Sequence, residues 1–310
     1  MPTVFLGWQE ISKFVASDAA ADDRFGSSVA IDGDTVVVAA PLDDDDGGKS
    51  GAVYVFRTRD DGATYGQVAK LTASDAASND EFGGSVAIDG ATIVAGARYD
   101  DDDGSNSGSV YVFRTSDGGA TYGQVAKLTA SDAASNDEFG ISVAIDGATV
   151  VVGAYGDDDD GSNSGSVYVF RTSDGGATYG QVAKLTASDA ASNDEFGISV
   201  AIDGDTIVAG AYMDDDGGDA SGSAYVFELP TAPTPMAPLA TNTTRFPSRW
   251  SAAICSTTDA IRPMARLPSG RVTTDVPTLT TMVLASLKAS RGEDILPWLS
   301  AQKGPSGTLR

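Results

Sequence analysis

The chain has 310 residues, with 44 Asp+Glu against 20 Lys+Arg and no histidine, a formal net charge of −24 at pH 7. The lack of histidine excludes a Ser-His-Asp or Cys-His catalytic apparatus, a His-ligated zinc site and a histidine pH switch, and the charge argues against nucleic acid or anionic lipid as a partner, because phosphate binding runs on Lys and Arg. A single cysteine, Cys255, excludes an intrachain disulfide and a Cys-rich metal site.

The first ten residues, Met1 to Glu10, lack the basic segment and apolar run of a secretory signal. No stretch reaches the roughly 20 apolar residues of a membrane span. The run Trp8 to Phe14 stands in register with Tyr65 to Leu71, which predicts a single strand at about 8–14. Behind it the sequence repeats. The pairs Phe25-Gly26, Phe82-Gly83, Phe139-Gly140 and Phe196-Gly197 recur every 57 residues, in units that start at about 13, 70, 127 and 184. Residues 70–126 and 127–183 differ at only five positions. A strict period of this kind decides the fold class before any local reading does.

Each unit carries four strand-like runs. In the third, Ile141 to Ile145 alternates and ends at Asp146-Gly147, a dipeptide suited to a tight hairpin. Thr149 to Val152 is wholly β-branched, as in a strand buried on both faces. Ser166 to Phe170 and Gln181 to Leu185 complete the set, labelled A to D in order. No helical period is visible. Tandem four-stranded units of this size predict an all-β chain, a β-propeller of four-stranded blades. One leading D strand, three full units and a final A-B-C sum to sixteen strands, which predicts closure by pairing the N-terminal D strand with the last C strand. Strand A supplies small core residues and no pocket, and Tyr54, Tyr111, Tyr168 and Tyr225 of strand C are expected to pack between blades.

The repeat region, residues 1–230, has 40 acids and 11 bases, whereas residues 231–310 have 4 acids and 9 bases. The change begins at a Pro/Thr-rich stretch, Pro230 to Pro235, and marks an irregular tail: disordered, a small partner-binding segment, or sequence read out of its true frame.

In each unit a second short element follows the Phe-Gly pair: Gly96-Ala97-Arg98, Gly153-Ala154-Tyr155, Gly210-Ala211-Tyr212, and Ala39-Ala40-Pro41 in the first. The pattern resembles the FG-GAP repeat of integrin alpha-subunit propellers and, more closely, the FG-GAP arrays of bacterial and algal proteins. The resemblance covers about residues 8–228 and implies a non-enzymatic propeller that binds ligands, of an adhesion or extracellular surface type. Integrin propellers have seven such repeats and a calcium loop between strands A and B. Here that connection is as short as Asp89-Gly90-Ala91-Thr92, so the integrin cation site does not carry over. Four repeats also leave open a fragment, a homo-oligomer or blade exchange between chains.

The candidate chemistry lies in the B-to-C loops: Asp43, Asp44, Asp45 and Asp46; Asp100, Asp101, Asp102 and Asp103; Asp157, Asp158, Asp159 and Asp160; Asp214, Asp215 and Asp216. In an up-and-down blade the D-to-A loops emerge on the same face, so each unit brings seven carboxylates to it. Oxygen-only clusters suit a hard cation such as calcium. An EF-hand register fails, however, since it places Tyr99 and Val110 where acids are needed. A solvated acidic loop is the alternative. No nucleophile and base pair is evident, and near-identical blades suit repeated weak contacts with a protein or glycan ligand more than catalysis. A calcium-binding scaffold and a non-catalytic module of a larger hydrolase or lectin-like protein remain as alternatives.

Overall fold

The computed structural model describes residues 10–228. All the regular structure in this span is β. Sheet 1 holds β1 (Val29–Asp32), β2 (Thr35–Ala40), β3 (Ala52–Arg57) and β4 (Gly66–Leu71); sheet 2 holds β5 (Ser85–Asp89), β6 (Thr92–Ala97), β7 (Ser109–Arg114) and β8 (Gly123–Leu128). Sheet 3 holds β9 (Ser142–Asp146), β10 (Thr149–Ala154), β11 (Ser166–Arg171) and β12 (Gly180–Leu185). Sheet 4 holds three strands, β13 (Phe196–Asp203), β14 (Thr206–Ala211) and β15 (Ser223–Glu228). Every sheet runs antiparallel in chain order, the up-and-down pattern of propeller blades. No helix among the described residues is long and apolar enough to cross a membrane.

The hairpins form where the sequence places them. Asp89 pairs with Thr92, so the A-to-B turn is the two residues Gly90-Ala91, with Gly90 at φ +53° as the first residue of a tight hairpin loop requires. The carboxylate of Asp89 then reaches across to the next blade and accepts the Gly147 N–H at 2.7 Å, and Asp32 does the same for Gly90 at 2.6 Å.

The core lies between sheets. Val37, Val53 and Val55 of sheet 1 pack with Phe82, Ile93, Ala95 and Tyr111 of sheet 2, and the same set recurs between sheets 2 and 3 and between sheets 3 and 4. Phe82 meets Tyr111 and Phe113 edge-on at 5.5 and 5.8 Å. Tyr111, Tyr168 and Tyr225 of strand C therefore pack against the preceding blade, as expected, whereas Tyr54 packs within the first blade with Phe25 and Phe56.

The closure expected from strand counting is not observed. Residues 10–14 carry no strand, and among the described residues β15 is hydrogen-bonded on one edge only, to β14. The sheets pack in sequence, β1 on β5, β5 on β9 and β9 on β13, while Val29 and Ile31 of the first sheet and Val208 and Val226 of the last stay exposed. With β15 at the far end of the array, residues 10–14 meet no C-strand edge among the described residues and keep side-chain contacts there. Phe14 stacks on Phe56 at 4.8 Å and leans on Tyr65, the position that Leu71 takes relative to Phe113 and Tyr122 one blade on. The irregular tail expected over 231–310 lies outside the described residues.

Candidate functional site

Each B-to-C loop folds around its first aspartate. Asp100 is 3% exposed; its backbone oxygen accepts the Gly108 N–H, and its side chain accepts the Asp102 N–H at 3.1 Å and the Tyr111 hydroxyl at 2.7 Å. Asp43 and Asp157 repeat these contacts in their own blades. The second aspartate turns back to cap the loop: Asp44, Asp101 and Asp158 accept the N–H groups of Lys49, Asn106 and Asn163 at 2.6–2.7 Å. The D-to-A loop that follows each blade is laced to this loop by main-chain bonds, as in Asn136 N–H to Ser105 and Phe139 N–H to Ser107. Both loop sets thus share one face.

A lysine holds each of the first three clusters together. Lys70 Nζ lies 2.8 Å from Asp18, 3.0 Å from Asp43 and 2.5 Å from Asp45, while Lys127 and Lys184 repeat the contacts with Asp75, Asp100 and Asp102 and with Asp132, Asp157 and Asp159. Burial alone would lower the Lys127 ammonium, but hydrogen bonds to Asp102, Asp75 and Asp100 outweigh it and hold it above its ordinary range. Burial works against Asp75 and Asp132 as well, yet the lysine bonds bring both below the usual carboxylate value. Burial and the bond to Asp100 keep the Tyr111 hydroxyl protonated far above the usual phenol range. In the D-to-A loop Asp137 accepts the Ala134 N–H, but burial prevails and pushes it up to about 6, with Asp157 adding to the rise.

The predicted aspartates therefore divide by place in the loop. Asp43, Asp100, Asp157 and Asp214 are buried; Asp44, Asp101 and Asp158 brace the main chain; Asp45, Asp102 and Asp159 meet the lysines. Asp46, Asp103 and Asp160 are exposed, as are Asp215 and Asp216 of the last blade. The oxygens of Asp18, Asp43 and Asp45, and those of Asp132, Asp157 and Asp159, converge closely enough to take a metal ion, but each group already surrounds an ammonium. Sequence reasoning missed the lysines. Their signal was present: Lys13, Lys70, Lys127 and Lys184 recur at the repeat period within an otherwise acidic region.

The FG-GAP repeat profile matches residues 8–56, 65–113, 122–170 and 179–227. The chain belongs to the FG-GAP repeat family. The second, third and fourth matched stretches begin at strand D and all four end in strand C, so residues 8–14 align with the D position of an FG-GAP unit even though 10–14 form no ladder. No curated protein matches the chain. Among solved structures it is similar to Saccharomyces cerevisiae Sqt1, at 12% identity and a TM-score of 0.39, over 63% of this chain and 44% of that one. The FG-GAP chain thus spans less than half of the Sqt1 structure. Its repeats are of a non-catalytic, interaction-module type.

Proposed function

We propose that this FG-GAP array is a non-enzymatic binding module of the adhesion or surface type, which takes a protein or glycan ligand on its acidic loop face. The observation that supports this reading is the repetition of exposed carboxylates, Asp46, Asp103 and Asp160, at the same loop position of successive blades and on one face. Equivalent weak contacts in a row add through avidity, and a carboxylate face favours a ligand that presents clustered Lys or Arg. Binding to an immobilised lysine-rich peptide is expected to weaken with salt. Replacing Asp46, Asp103 and Asp160 together by Asn should weaken it by about tenfold and flatten the salt dependence; unchanged binding would overturn the proposal.

A cation-bound scaffold is the second reading, supported by the two convergent carboxylate groups. Because a lysine ammonium sits in each group, the melting temperature is expected to be the same in calcium and in EDTA. A clear rise in calcium would establish the scaffold reading instead.

A further inference from the structure

The two ends of the array are complementary, position for position. In sheet 4, Val226 is 67% exposed, whereas its equivalents Val55, Val112 and Val169 are each 0% exposed beneath the following blade. In sheet 1, Val29 is 64% exposed where its equivalent Val86 is 8%. The close approaches show the same pattern. A Cβ on Gly153 would lie 1.8 Å from the Gly197 oxygen of the next blade, but one on Gly210 meets only its own blade, at Ser199, and one on Gly26 meets nothing.

The charges are complementary too. In the fourth unit Tyr225 donates to Asp189 and Asp214, as Tyr168 does to Asp132 and Asp157 one blade earlier, yet no lysine joins the Asp189, Asp214 and Asp216 set among the described residues. The position in register with Lys184 is Thr241, in the run Ala237 to Asn242, which contains Pro238 and no lysine. The missing cation has a counterpart at the other end. Lys13 stands 57 residues before Lys70, is exposed, and forms no ion pair among the described residues. The main chain is also prepared: Asp22 and Arg24 hold φ of 71° and 56°, matching the 75° and 52° of Asn79 and Glu81, whose N–H groups bond to the preceding blade.

We propose that the fourth blade is completed by the N-terminal segment of a second copy of this chain, with residues 10–14 paired to β15 and Lys13 set among Asp189, Asp214 and Asp216. The added strand is a β-augmentation, and it covers both exposed faces in one head-to-tail contact. The partner is a second copy because closure within one chain would have to re-angle three close-packed interfaces, whereas a second copy repeats an interface the chain already makes three times.

The register of β3 with β4 places Ser12 of one copy opposite Val226 of the other. In the full chain with Cys255→Ser, the pair Ser12→Cys and Val226→Cys is expected to give disulfide-linked dimers or larger multiples on a non-reducing gel, beyond those of either single-cysteine control. A link confined to one chain, or no link, would overturn the proposal. Lys13→Glu and Gly210→Ala are each expected to reduce the sedimenting mass to that of the monomer with an unchanged far-UV spectrum. An unchanged mass in both would count against the proposal in the same way.

Discussion

Replacing Lys127 by methionine is expected to cost about 3 kcal/mol of stability, since it leaves three carboxylates facing one another with no counter-charge. The loss centres on Asp100, whose side chain is 4% exposed, because Asp75 and Asp102 lie nearer water and are partly screened. Adding Asp100→Asn should recover most of the loss, as the amide removes the buried charge and still accepts the Tyr111 hydroxyl. Urea midpoints of the two variants measure both steps, and a single variant as stable as the parent would refute the structural role of the cluster. The alkaline limb provides a check. The folded chain holds the Lys127 ammonium above its ordinary value of 10.5, so its contribution is complete below about pH 10.5 and is lost as pH rises through the folded value. The parent should therefore lose more stability above that pH than the methionine variant does.

Gly153→Ala is expected to cost about 3 kcal/mol or more, through overpacking at the joint between the third and fourth blades. The added methyl would lie 1.8 Å from the Gly197 main-chain oxygen, and backbone cannot rotate away as a side-chain tip can. One joint does take a methyl at this position, the buried Ala39 of the first unit, and the loop opposite it has Gly84 where the other joints have Ile141 and Ile198. Thermal melts of Gly153→Ala and Gly210→Ala give the contrast: the first is expected to melt well below the parent and the second close to it. Equal melting temperatures would mean that blade contact is not what reserves the element for glycine.

Much of the fold was legible because its signals are local. The alternation of Ile141 to Ile145, the glycine after Asp146 and the β-branched Thr149 to Val152 specify strand, turn and buried strand within a dozen residues, and the period repeats the message four times. The acidic face was legible for a related reason: up-and-down strands put alternate loops on the same side. The division of labour within each Asp run was not. Asp100 and Asp103 are the same residue type three positions apart, and only the path of the loop buries one against Tyr111 and leaves the other in water.

The outcome at the ends of the array separates the two kinds of knowledge most clearly. Repeat arithmetic by itself determined an all-β chain of four FG-GAP units with a spare D segment in front, and the absence of histidine limited its chemistry. Whether the spare segment meets the open edge of β15 depends on the angle between successive sheets. That angle arises from contacts between residues more than 40 positions apart, such as Val55 with Phe113 or Gly153 with Gly197, and no local pattern encodes it. The tertiary structure decided it: the sheets stack without bringing first to last, and the lysine that would neutralise the fourth cluster sits at the opposite end of the four-sheet array.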